Sequence, residues 1–308
     1  MNARSDLKQA LLTTLALMVP VAIFIAAAPT ETTNSLKPPE KDQIPVAFLI
    51  ADRAVVIDFC GPWEVFQDVV VPSRTDMPFR LYTVAETAKP IRTSSGMQIV
   101  PDYTIANAPA PKVIVIPAQS EPSPAVLDWI RKSSKTTDVT MSVCTGAFVL
   151  AKTGLLDGKS ATTYHGAFGR FAMTFPKIEL KRGARFVENG NLATAGGLSS
   201  GIDLALRVVE RYYGREVAQK TAYNMEYQGQ GWMNADSNNA YATALVSTPE
   251  HPVCAVCGMD VDPKIAAKSV YKGTTYYFCS DEDKKTFETA PEKFVSNWPA
   301  KFSDPKPE

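Results

Sequence analysis

The chain has 308 residues, 45% of them hydrophobic and 21% charged, which is long enough for one sizeable core and a second small domain. Lys+Arg and Asp+Glu both number 32, so the formal net charge is zero. With no basic surplus to meet phosphates, nucleic acid is excluded as an expected partner, and the balance says nothing about the charge of a substrate.

In chain order, Arg4 and Lys8 precede an uncharged run at 10–28, ALLTTLALMVPVAIFIAAA, close to the roughly 20 residues that a helix needs to cross a bilayer. Positive charge on its N-terminal side predicts that the remainder is translocated to a periplasmic or extracytoplasmic compartment. Ala26 and Ala28 offer a small-x-small cleavage site, but Pro29 would follow the scissile bond and hinder processing. A retained anchor, with the membrane as its partner, is therefore preferred to a cleaved signal peptide, and residues 1–43 are read as this segment and its Pro-rich linker. From residue 44 to 240 an α/β pattern follows. Short apolar runs at Val46–Ile50, Phe79–Ala85, Val113–Pro117 and Val139–Val143 alternate with helical segments at Pro124–Lys132 and Gly201–Tyr213. Continuous apolar strands separated by helices predict a parallel sheet covered on both faces. In RFVENGNLATAG, Asn189-Gly190 supplies a tight hairpin turn. A polar stretch, MNADSNNA, precedes a separate unit at 250–298 and a tail at 299–308.

Within MSVCTGAFVLAKTGLL a strand ending at Val143 meets one thiol, Cys144, and a helix starting near Thr145 and Gly146. That strand-turn-helix elbow puts a side chain at the carboxyl edge of the sheet, where open α/β folds build their sites. The helix N-terminus favours a thiolate and holds an oxyanion, and Gly146 lets the backbone pack closely. The alternative is a small buried hydrophobe, and spacing alone leaves both readings open.

The words SVCTGAFVLAKTGLLDGKSATTYH, LATAGGLSSGIDLALRVVERYYG and VIDFCGPWEVFQ resemble three motifs of the ThiJ/PfpI family, in family order over about 44–231. The branch is that of isonitrile hydratases and of the sensor domains of AraC-type regulators, and no helix-turn-helix pair follows here. The resemblance implies a flavodoxin-like parallel sheet sandwiched by helices, a homodimer, a small-molecule substrate and no cofactor for this domain. It implies Cys144 as nucleophile, Asp58 as the nearby acid and Thr145 after the nucleophile, where protease-like members carry His; that departure argues against peptidase activity. In ATTYH, Tyr164 takes the usual histidine position and His165 lies one place later, where a strand would turn it to the other face. Beside a thiolate, like-charge repulsion and burial push Asp58 toward its protonated form. Without the resemblance, Asp58 reads as an N-cap for a helix starting around Gly61-Pro62, with Glu64 inside its first turn. Ala118 and Gln119, after VIVIPA, are candidate oxyanion donors, and Cys60, on the loop carrying Asp58, is a candidate resolving thiol for oxidised Cys144.

The C-terminal words CAVCGMDVDP, YKGTTYYFCSDEDKKTF and PEKF resemble the YHS domain, a small α+β module linked to heavy-metal handling. Cys254 and Cys257 form a C-x-x-C knuckle, and a hairpin at Lys272-Gly273 returns Cys279 toward it. Where the family continues to a further cysteine, this chain has Asp283. Three thiolates and a carboxylate suit Zn²⁺ better than a softer ion, and a unit of this size gains from a metal staple. Two functional classes stay open: an exported cysteine enzyme of the isonitrile hydratase type with an appended metal module, or a non-catalytic ligand-binding or metal and redox-stress protein.

Overall fold

The structure, a computed structural model, describes residues 35–242, 252–256, 258 and 261–295. The α/β part opens with β1 (Ile44–Leu49), α1 (Val56–Gln67), β2 (Phe79–Ala85) and the two-residue strands β3 (Ile91–Arg92), β4 (Gln98–Ile99) and β5 (Tyr103–Thr104). It continues through β6 (Val113–Ile116), α2 (Pro124–Ser133), β7 (Val139–Ser142), α3 (Gly146–Lys152), β8 (Ser160–Ala161), α4 (Phe168–Thr174) and β9 (Glu179–Leu180). The hairpin β10 (Phe186–Asn189) and β11 (Leu192–Ala195) and the helices α5 (Ser200–Tyr213) and α6 (Arg215–Asn224) complete it.

The strands assemble as β10-β11-β7-β6-β1-β2-β5. Every neighbouring pair is parallel except β10 and β11, whose hairpin turns through Gly190 at φ 62°. The strands β6 and β7, VIVI and VTMS, are buried at every position, as strands covered on both faces must be. One apolar layer joins Phe48, Val115 and Met141 to Phe66 of α1 and to Leu204 and Val208 of α5. The opposite layer joins Ile114 and Ile116 to Ile130 of α2 and Leu150 of α3. The chain passes from β1 outward to β2 and returns to β6 on the other side of β1, so the sheet reverses direction there, at the crevice where such folds place ligands.

One expected boundary is corrected. The first helix starts at Val56, five residues before Gly61, so Asp58 and Cys60 lie in helical backbone and Asp58 is not its N-cap. Pro62 is tolerated inside α1, close to Gly201 of α5, where a Cβ on that glycine would lie 3.3 Å from Pro62 Cγ.

The C-terminal unit is an antiparallel hairpin, β12 (Ala267–Tyr271) and β13 (Thr274–Phe278), followed by α7 (Asp281–Thr289) and α8 (Pro291–Val295). Its turn places Lys272 at φ 50° and Gly273 at φ 82°, both left-handed, as a two-residue hairpin requires. Ser280 caps α7 by accepting the Asp283 N–H at 3.1 Å. The core is small: Cys254, Ala255, Val256, Phe278 and Phe287. No helix among the described residues is long and apolar enough to cross a membrane, and the expected 10–28 span lies outside them.

Candidate active site

Cys144 sits between the end of β7 and the start of α3 with φ 58°, a left-handed conformation that costs a residue with a Cβ on the order of 1–3 kcal/mol. Three contacts hold it there. Its N–H donates to the Gly196 carbonyl at 2.8 Å, its carbonyl accepts from Thr163 Oγ1 at 2.9 Å, and the Val143 N–H before it donates to the Ile116 carbonyl at 2.9 Å. Gly146 is what lets the turn close. A Cβ there would lie 2.1 Å from the Ile116 carbonyl oxygen, so only glycine allows α3 to leave so near β6.

Asp58, fully buried in the first turn of α1, is brought to the thiol from the connection after β1, two strands from β7. Its Oδ2 accepts the Ala118 N–H at 3.1 Å, while Oδ1 is buried with no well-formed hydrogen bond. The Cys144 thiol is the donor turned toward this carboxyl group. Burial dominates the electrostatics. It raises Asp58 to about 7, against the lowering effect of the Ala118 and Cys144 hydrogen bonds. It also raises Cys144 to about 12, with the Asp58 charge adding to the rise. The amides of Thr145 and Leu198 oppose this by donating to the sulfur.

Asp58 thus shifts in the expected direction, while burial opposes the thiolate that the helix N-terminus favours at Cys144. The helix N-terminus is outweighed because Cys144 is only 6% exposed and faces an acid. Ala118, expected as an oxyanion donor, holds Asp58 instead. Gln119 lines a separate crevice of about 190 Å³ beyond β1, β2 and β6, beside Asp52 and Glu86. Gly146 serves packing, its N–H donating to the Val143 carbonyl at 2.9 Å. Cys60 follows Asp58 by two helical positions, so the two side chains leave α1 roughly 200° apart, and the one that faces Cys144 is Asp58. Burial and the Glu64 charge raise the Cys60 thiol. His165 is in a single 3₁₀ turn, His165–Ala167, and not on a strand; its ring stacks on Tyr241 with centroids 4.9 Å apart. Tyr164 packs on Gly197, where a Cβ would lie 2.7 Å from its ring.

Leu198 has no forerunner among the expected site residues. It is another non-glycine residue at positive φ, 43°, directly after Gly196 and Gly197. The glycine pair before a helix start was the legible signal, because it marks a loop that must pass close to other backbone.

In the C-terminal unit, Cys254, Cys279 and Asp283 hold ligand atoms within 4.8 Å of one another. Asp283 Oδ2 accepts from the Cys254 thiol at 3.3 Å and from the Cys279 thiol at 3.2 Å. Two sulfurs converging on one carboxylate oxygen are a donor set able to hold a metal ion, which would take the place of the thiol protons. Cys257, the expected further ligand, lies outside the described residues.

A mostly parallel sheet with a thiol on a strained strand-to-helix elbow, an acid opposite and two amides at the sulfur defines a cysteine-site α/β protein of the flavodoxin-like class. The chain belongs to the DJ-1/PfpI family, whose model matches residues 45–211. The YHS domain model matches residues 255–298. The chain is 32% identical over 206 residues to isonitrile hydratase of Pseudomonas putida, covering 65% of this chain and 86% of that protein. It is 27% identical over 144 residues to the HTH-type transcriptional regulator CdhR of Pseudomonas aeruginosa, covering 46% of this chain and 43% of the regulator. Among solved structures, a ThiJ/PfpI family protein from Pseudomonas syringae superposes with a TM-score of 0.55 at 24% identity, over 68% of this chain and 85% of that one. Drosophila melanogaster DJ-1beta gives 0.52 at 20% identity, over 61% and 100%.

Proposed function

We propose that the α/β domain hydrates small isonitriles to N-substituted formamides at Cys144 and Asp58. The observation that carries this reading is the buried acid facing a thiol that keeps its proton, with the acid raised to about 7. Such a pair suits a neutral substrate that must receive both a nucleophile and a proton at one carbon. As the sulfur bonds to the terminal carbon of R–N≡C, the thiol proton passes to the Asp58 carboxylate, which delivers it to that carbon. The product is a thioimidate, R–N=CH–S–Cys144, with Asp58 again ionised. Water then adds to the same carbon, its oxygen becoming the formyl oxygen, and the C–S bond breaks. One water proton goes to nitrogen and the other returns to the sulfur. Charge developing on sulfur faces the Thr145 and Leu198 amides throughout. The 32% identity to an isonitrile hydratase supports the substrate class. Thr145 in place of histidine leaves out the base expected of peptidase-like members.

The test is formamide production from alkyl isonitriles, followed by mass spectrometry. Wild-type turnover that falls roughly a thousandfold or more in Cys144→Ala is the expected result. Stoichiometric ligand binding without turnover would overturn it in favour of a binding or sensing protein, a reading that the regulator relative supports.

We further propose that Cys254, Cys279 and Asp283 hold Zn²⁺ together with Cys257, and that the ion fastens the small unit. The proposal includes an extracytoplasmic location set by residues 1–43. A phosphatase fused after residue 43 is expected to be active, and an inactive fusion would overturn that placement.

A further inference from the structure

Two left-handed backbone residues meet at the sulfur, Cys144 and Leu198. Contacts at Gly196, Thr163 and Ile116 hold the first. Something must also hold the second, because a leucine at φ 43° relaxes to ordinary backbone unless its neighbours prevent it.

The 196–199 loop is fastened from one side by Arg185, the residue before β10. Its carbonyl accepts the Gly196 N–H at 2.9 Å, two residues before Leu198. Its Nη2 donates to Ser199 Oγ at 3.0 Å, one residue after Leu198. The two contacts bracket the Leu198 amide. Arg185 is itself fixed. Its Nε donates to Asp203 Oδ2 at 2.6 Å, its Nη1 donates to Asn238 Oδ1 at 3.2 Å, and its own N–H donates to the Ala235 carbonyl at 2.6 Å. Asp203, in the first turn of α5 with its side chain 1% exposed, also accepts the Tyr227 hydroxyl at 3.0 Å and the Trp232 N–H at 2.9 Å. A planar fork aimed at three acceptors on two segments is a geometry that lysine cannot reproduce.

We propose that Arg185, anchored by Asp203, is a positioning residue that holds the Leu198 amide against the Cys144 sulfur. It touches neither substrate nor thiol, and acts through the Ser199 and Gly196 contacts. The inference rests on the reading of Cys144 as the nucleophile and adds the device that keeps its second amide donor in place. It also gives the 227–238 segment a task, since Tyr227, Trp232, Ala235 and Asn238 all close on this pair.

The test uses the full chain, and its first readout needs no substrate. The rate of Cys144 alkylation by iodoacetamide is followed against pH by peptide mass spectrometry in wild type, Arg185→Lys and Ser199→Ala. Arg185→Lys keeps the charge opposite Asp203 and loses the fork. Ser199 is exposed, so Ser199→Ala removes the tether without disturbing the core. Both variants are expected to show the alkylation midpoint moved to higher pH, with kcat for isonitrile lowered roughly tenfold and KM unchanged. A profile identical to wild type in the folded variants would overturn the positioning role while leaving the nucleophile reading intact. Absence of Cys144 labelling in folded wild type would overturn that reading and this inference together. If Arg185→Lys does not fold, Ser199→Ala alone decides.

Discussion

The two folded regions of this chain set their cysteines in opposite surroundings. Cys144 is buried within a large core, held on strained backbone, and faces one acid and two amides. In the C-terminal unit, buried Cys254 and exposed Cys279 converge on Asp283 over a core of five buried residues. A large core can hold a left-handed residue and a buried carboxyl group in place, because the surrounding packing over-determines both. A small one cannot, and the proposed ion would supply the stability that its core lacks. On the proposals above, the same side chain serves as a reactive group in one region and a staple in the other, according to how much core stands behind it.

Metal removal should separate the regions most sharply. The proposed zinc site would contribute an apparent binding energy on the order of 10 kcal/mol to a unit whose core holds only five buried residues, so chelation should unfold the C-terminal unit. Hydrogen exchange should then show lost protection in β12, β13 and α7, with the 44–224 sheet unchanged. Uniform protection after complete chelation would break the comparison.

The next effect comes from Asp58. Its carboxyl group is raised from 3.8 to about 7 in the folded state, so between those values the unfolded chain ionises and the folded chain keeps its proton. Stability should therefore fall as pH rises from about 4 to 7, by on the order of 4 kcal/mol. Asp58→Asn should remove most of that slope. Denaturant unfolding at pH 5 and pH 8 measures it, and an unchanged slope would mean that Asp58 is not the buried acid.

A smaller effect is expected at Gly146. Gly146→Ala places a Cβ on the Ile116 carbonyl and should lower stability by roughly 3 kcal/mol. Gly158→Ala, with no atom within 4 Å of its Cβ position, should cost only its backbone strain at φ 74°, about 1 kcal/mol. Equal thermal shifts for the two would show that the elbow does not depend on the close approach at β6.

The sheet was legible because its strands are short, apolar and spaced by helices; Phe79–Ala85 fell at its predicted bounds. The first helix was placed too late because Gly61 and Pro62 read as punctuation. In the fold, the small residue accommodates Ile202 and the proline packs near Gly201, so tertiary contact overrides local preference. The site was half legible. Cys144 and Asp58 stood in recognisable words, whereas Leu198 contributes only its backbone, and a side-chain alphabet does not record where an amide points. Arg185 and Asp203 were hidden for a different reason: 18 residues separate them, and only the crossing of β10 with α5 joins them. The thiol's proton state depended on burial at the sulfur, which periodicity alone does not rank against a helix dipole.

The most direct test of the central claim, a shared proton between Asp58 and Cys144, is the pH dependence of Cys144 alkylation in wild type and Asp58→Asn. The account predicts a wild-type midpoint well above the free-cysteine value of about 8.5, moved downward in Asp58→Asn because the opposing charge is gone. A wild-type midpoint below that value, or an upward move in the variant, would contradict it.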